Sequence, residues 1–176
     1  MGLEKGFVQV YTGDGKGKTT AALGLALRAV GHGLRVVMIQ FLKDDGRAGE
    51  LAAAQHLAPL LTIKPMGRPG FIGPEGPQPG DVELANAAMQ EAEKVLSEKG
   101  CDVLILDEIN VAVHLGVISQ KALLALVARK PSNMELVLTG RGAPEGLLQK
   151  ADLVTTMQCT KHYYDVGQAA RLGIEV

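Results

Sequence analysis

Short apolar runs alternate with longer stretches of helical periodicity along the chain, the pattern of β-α-β units around a mostly parallel sheet. The runs at 7–12 (FVQVYT), 34–41 (LRVVMIQF), 61–65 (LTIKP), 103–107 (VLILD), 135–139 (ELVLT) and 152–156 (DLVTT) predict six strands. Several are apolar without interruption, as strands covered on both faces are. Three helices are expected between them. The first runs from about Lys18 to Val30, is apolar almost all round and can end at Gly31 or Gly33. The second takes Asp81 as its N-cap and reaches Lys99, with Ala85, Met89, Ala92 and Leu96 on one face and Gly100 as a stop. The third starts at Ser119 and ends before Pro131.

The alternation breaks once. From Pro65 to Gly80 (PMGRPGFIGPEGPQPG) the chain places five of its eight prolines and five glycines, which argues against helix and central strand alike. A long loop over 65–80 is expected, and long loops in compact domains are usually lids, binding loops or disordered.

Composition narrows the function classes. At 176 residues the chain suits one α/β domain over 1–176 with a full core. Its 18 basic and 19 acidic side chains nearly balance, so no nucleic-acid surface is expected. Cys101 and Cys159 lack a C-x-x-C partner, which predicts two reduced, buried thiols and neither disulfide nor zinc site. No apolar stretch is long enough for a membrane span, and MGLEKG lacks secretory and myristoylation patterns, so a soluble, cytoplasmic protein is expected.

The strongest chemical signal is YTGDGKGKTT, Tyr11 to Thr20, between a predicted strand and a predicted helix. It is a Walker A loop (G-x-x-x-x-G-K-[ST]) ending in Gly17-Lys18-Thr19, except that Thr12 stands where the first glycine belongs. Amides at Gly13, Gly15 and Gly17, with Asp14 and Lys16 between them and Thr20 after, can form an anion-binding nest at a helix N-terminus. Lys18 is expected on phosphate oxygens and the Thr19 hydroxyl on Mg²⁺. Asp107-Glu108, at the carboxyl end of a buried strand, can complete that metal site, or merely complement a helix dipole. Thr139-Gly140-Arg141 ends another strand on the same edge, where Arg141 could clamp a phosphate, balance the acidic pair or form a simple salt bridge.

Phe71 lies in the glycine-proline loop, where an aromatic suits a flat apolar ligand or a plug over the sheet edge. Phe7 and Phe41, in predicted strands, are expected in the core. Four histidines without ligand spacing argue against zinc, and His162 in Lys161-His162-Tyr163-Tyr164 reads as a structural hydrogen-bonding residue.

Taken in order, these segments resemble one family, the ATP:corrinoid adenosyltransferases of the phosphate-loop type. The resemblance rests on Tyr11 to Gly33, VVMIQFLK (Val36 to Lys43), LILDEIN (Leu104 to Asn110), LTGRGAP (Leu138 to Pro144), ADLVT (Ala151 to Thr155), Lys161-His162 and the final Gly173-Ile174-Glu175. It implies a RecA-like fold, usually dimeric, that moves the 5′-deoxyadenosyl group of ATP to cobalt(I) of a corrinoid and releases triphosphate, in adenosylcobalamin synthesis or salvage. It also implies Mg²⁺ or Mn²⁺, an electron-donating flavoprotein reductase as partner, and cobalamin or cobyrinic acid a,c-diamide as substrate. Within it, Gly70, Phe71 and Ile72 match the segment that packs on the lower face of the corrin, where apolar groups keep cobalt four-coordinate and reducible. The chain departs from the family at Gly73, where some members carry tryptophan, and at Thr156, where glutamate is common. The N-terminal lid of some relatives is expected to be absent or replaced. A RecA-like nucleotide hydrolase or small-molecule kinase would need only the phosphate loop and Asp107-Glu108, and a nucleotide- or corrinoid-binding adaptor would need no turnover.

Overall fold

The computed structural model describes residues 2–175 except Asp45, Arg47, Phe71 and Pro74. Strands β1 (Val8–Thr12), β2 (Val36–Phe41), β3 (Leu61–Met66), β4 (Val103–Asp107), β5 (Glu135–Thr139) and β6 (Leu153–Thr156) form one sheet. Their order is β3-β2-β4-β5-β1-β6, and every adjacent pair is parallel. The helices are α1 (Lys18–Gly31), α2 (Gly49–His56), α3 (Pro79–Glu98), α4 (Ile109–His114), α5 (Gln120–Ala128) and α6 (Glu145–Leu148), followed by a 3₁₀ turn at Tyr163–Val166.

The uninterrupted apolar runs are explained by cover on both faces. In β4, Leu104 and Leu106 face the core beneath α3, α4 and α5, while Val103 and Ile105 face the core beneath α1 and α2. Helix α1 meets the sheet through Ala22, Ala26 and Ala29, whose small side chains allow close approach. Its other apolar positions are not all buried: Leu27 is 60 % exposed, so this is a one-faced helix despite its composition. Phe41 is fully buried as expected, but Phe7 precedes β1, is exposed, and has the Lys5 ammonium over its ring. Of the two thiols, Cys101 is buried and burial pushes its pKa up to about 12, whereas Cys159 is exposed.

The glycine-proline loop is shorter than expected at both ends. Pro65 and Met66 close β3, an edge strand, where a missing N–H costs no central ladder bond. Pro79 and Gly80 open α3, because proline suits the first helical turn. Asp81 is therefore not the N-cap: Gln78 is, and Asp81 sits three residues on, accepting from the Gln78 N–H at 2.8 Å and from Arg68 at 2.9 and 2.7 Å. The left-handed residue at the other end is Lys99, one before Gly100.

The Arg68 guanidinium, with the Gln78 N–H, holds the Asp81 carboxyl below the usual carboxylate range. A depressed folded pKa stabilises above the unfolded value near 4 and loses that contribution as pH falls through the folded value. Asp81→Ala is thus expected to cost about 1 kcal/mol in urea unfolding at neutral pH, with the two proteins converging below about pH 4. A gap that persists in acid would contradict this role.

Candidate active site

In a parallel sheet all carboxyl ends emerge on one edge, and ligands bind there. The register aligns those ends closely: Gln40 lies opposite Asp107, Tyr11 opposite Thr139, and Thr12 opposite Thr156. Strand β5 separates β1 from β4, and Thr139 at its end, opposite Tyr11 of β1, donates its hydroxyl to the carboxylate that ends β4.

Thr12 is the last residue of β1, without the positive φ that would favour glycine, and its Oγ1 accepts the Ala143 N–H at 3.3 Å. The demand for glycine falls one residue later. Gly13 has φ 91°, and a Cβ there would lie 2.4 Å from the Met157 carbonyl oxygen. Gly15 is pressed against the same strand exit, and its N–H donates to Met157 at 2.8 Å. Of the three glycine amides expected to face phosphate, that one is already paired. Gly17, at φ 123°, caps α1.

Lys18 is 8 % exposed, and its ammonium donates to the Gly13 and Gly15 carbonyls, both at 2.7 Å. Burial draws its pKa down, with Arg141 adding to the effect, while Glu108, Asp14 and Asp107 oppose it.

Asp107 is wholly buried and is the hub of the site. Its Oδ1 accepts from the hydroxyls of Thr139 at 2.6 Å and Thr19 at 3.0 Å, and its Oδ2 from Lys43 at 2.6 Å and Gln40 at 3.4 Å. Glu108 follows in the left-handed conformation, φ 61°, as the N-cap of α4. Burial raises its pKa, the Asp107 charge raises it further, and Lys43, Lys18 and Arg141 oppose the rise. No group of three or more His, Cys, Asp or Glu side chains able to hold a metal occurs among the described residues. One buried carboxylate beside a hydroxyl nevertheless suits Mg²⁺, which takes one or two protein oxygens and completes its octahedron with phosphates and water.

Asp14 to Thr20, Glu108 and Arg141 line a cavity of about 870 Å³, together with Ile72 from the glycine-proline loop. Arg141 is exposed and touches Asp14, through its carbonyl at 3.3 Å and its carboxylate at 3.9 Å, rather than the Asp107-Glu108 pair. Gly70 is exposed with φ 92°, Gly73 has open space beside it, and Phe71 lies outside the described residues. The two tail motifs meet at the same cavity. His162, Gly173, Ile174 and Glu175 all line it, and the Lys16 ammonium donates to the Ile174 carbonyl at 3.4 Å. Glu175 is held by Arg171 and by the Tyr163 hydroxyl, which draw its carboxyl down to about 2. His162 accepts the Tyr164 N–H, the structural role expected of it, in addition to lining the cavity.

Three residues were not singled out from sequence: Lys43 and Gln40 on Asp107, and Glu50, which accepts from Gln40 at 3.1 Å. The available signal was position, since Gln40 and Lys43 flank the carboxyl end of β2, on the edge that carries the other site residues.

The profile of the ATP:corrinoid adenosyltransferase BtuR/CobO/CobP family matches residues 4–176. A corrinoid adenosyltransferase of Pseudomonas aeruginosa is 34 % identical over 98 % of this chain and 84 % of its own, and one of Escherichia coli K12 is 33 % identical over 98 % and 86 %. Among solved structures, the flagellar accessory protein FlaH of Methanocaldococcus jannaschii superposes with TM-score 0.60 at 13 % identity, covering 88 % of this chain and 72 % of that one. The KaiC-like protein PH0186 of Pyrococcus horikoshii OT3 gives 0.58 at 18 %, covering 91 % and 76 %. At such identities these two bear on the fold alone, which is RecA-like.

Proposed function

The chain belongs to the ATP:corrinoid adenosyltransferases, and from that premise we propose how its own residues divide the work of adenosyl transfer. The reaction moves the 5′-deoxyadenosyl group of ATP to cobalt(I) of a corrinoid. The cobalt–carbon bond forms as the C5′–oxygen bond breaks, and the electron pair leaves with triphosphate. The observation that carries the assignment of residues is that the phosphate loop, Glu108, Ile72 and both tail motifs wall one cavity, with Asp107 buried beside it.

Gly13 to Thr20 bind the triphosphate, whose charge grows as it departs, so pre-aimed N–H groups and the Lys18 ammonium favour the transition state over the ground state. Thr19 and Asp107, with Glu108 alongside, hold Mg²⁺, which when bound supplies further positive charge to the leaving group. Arg141 is positioned by Asp14 to reach the same phosphates. No general base is required, because the nucleophile loses no proton. Gly70, Phe71 and Ile72 take the lower face of the corrin, where apolar side chains offer cobalt no ligand. The single domain works as a cytoplasmic homodimer and receives its electron from a flavoprotein reductase. No helix among the described residues is long and apolar enough to cross a membrane.

Under anaerobic, strongly reducing conditions with Mg-ATP and cobalamin, the protein should produce a light-sensitive alkylcobalt spectrum. Phe71→Ala separates reduction from transfer. Its loss in turnover from cobalt(II) should exceed its loss from prereduced cobalt(I) by about tenfold, or ~1.4 kcal/mol of barrier. Equal losses would remove the lower-face role.

A further inference from the structure

We infer that Lys43 is the resident counter-ion of Asp107, and that Lys43 and a divalent cation exclude one another at this carboxylate, so that Lys43 gates metal loading. The inference rests on the reading of Thr19 and Asp107 as the metal-holding pair. Its geometry is specific. The Lys43 ammonium lies 2.6 Å from Asp107 Oδ2 and 3.4 Å from Thr19 Oγ1, while Thr19 Oγ1 lies 3.0 Å from Asp107 Oδ1. The ammonium thus sits on the carboxylate and beside the hydroxyl that a small cation would use.

The chain is built to put it there. Leu42, between β2 and Lys43, takes φ 59°, a left-handed conformation that non-glycine residues rarely adopt and that persists only where the surroundings impose it. Gly67, just past β3, supplies the surroundings. A Cβ at Gly67 would lie 2.3 Å from the Lys43 nitrogen and 2.4 Å from the Leu42 carbonyl carbon, so the two backbones are in close contact. The turn that aims Lys43 is therefore wedged from the neighbouring strand.

Charge explains why something cationic must be present. Asp107 has no solvent exposure, and its other donors, Thr19, Thr139 and Gln40, are neutral. Among the described residues Lys43 makes the one ion pair to this carboxylate. A buried carboxylate is costly without a compensating charge, and an ammonium at hydrogen-bond distance and a divalent cation at the same carboxylate repel one another, so each weakens the other's hold. The Lys43 side chain is one-third exposed and lines the cavity, so it has a path of withdrawal that Asp107 lacks. Withdrawn, its ammonium would still face the cavity that the phosphate loop lines. Metal and nucleotide would then load together, each supplying what the other displaces.

The test is Mn²⁺ titration of nucleotide-free full-length protein, followed by electron paramagnetic resonance, with no corrinoid or turnover involved. Lys43→Met should bind Mn²⁺ roughly tenfold or more tightly than wild type, since the competing charge is gone. The gain should vanish in Lys43→Met/Asp107→Asn. Lys43→Arg, which keeps a cation and can pair with the carboxylate through two N–H groups, should bind Mn²⁺ more weakly than wild type. It remains informative if Lys43→Met does not fold. Equal or weaker binding by Lys43→Met, or equal or tighter binding by Lys43→Arg, would overturn the gate. Asp107-dependent binding indifferent to Lys43 would remove the gate alone, whereas binding unchanged in Asp107→Asn would remove the metal site with it.

Discussion

Lys18→Ala should lower the rate of alkylcobalt formation by about 10²–10³-fold, the range seen when one pre-aimed donor to a developing oxyanion is removed. The loss should be the same from cobalt(II) and from prereduced cobalt(I), because Lys18 acts on the leaving group and not on the metal of the corrin. Its ammonium is nearly buried and satisfied by two loop carbonyls, so it is already in place when the triphosphate arrives. Truncation also leaves the Gly13 and Gly15 carbonyls without that donor, and stability should fall by about 1 kcal/mol. Initial rates and urea melts of the same preparation separate the two effects. A near-normal rate would contradict the role given to Lys18.

Asp107→Asn should reduce turnover by a comparable ~10²-fold or more and move the Mg²⁺ requirement to higher concentration, since a neutral amide is a poor ligand for a hard cation. The substitution preserves shape, and the amide oxygen can still accept from Thr19 and Thr139. The protein should remain folded, which makes the kinetic loss interpretable. What it forfeits is the buried charge that Lys43 now balances at 2.6 Å. A rate near wild type with an unchanged Mg²⁺ dependence would exclude Asp107 from the metal site.

The parallel sheet was legible because its central strands are covered on both faces, which forces apolar runs into the sequence. Helices α1, α3 and α5 were legible from periodicity and stop signals. Helix α2 was not, because GELAAAQH has no apolar stripe, and α4 and α6 are too short to show a period. Asp81 was read one turn too early in its role, since a proline-glycine pair that breaks helices internally is tolerated at the first turn.

At the site, the phosphate loop and Asp107-Glu108 could be found because their motif and strand-end context are local. Thr12 ceases to be an irregularity: it ends a strand, and the close backbone contact that excludes a side chain belongs to Gly13. Lys43 escaped notice because its placement depends on a turn at Leu42 held by Gly67, residues far apart in sequence and joined by the β2-β3 pairing. The meeting of His162 with Gly173 to Glu175 is likewise a property of the folded tail.

The central claim is that ATP serves here as an alkyl donor whose triphosphate leaves whole. Phosphorus NMR of the products, with Mg-ATP and prereduced corrinoid under anaerobic conditions, tests it most directly. One inorganic triphosphate per alkylcobalt formed is the expected result; ADP and phosphate as the main products would contradict the account and return the chain to the nucleotide hydrolases and kinases.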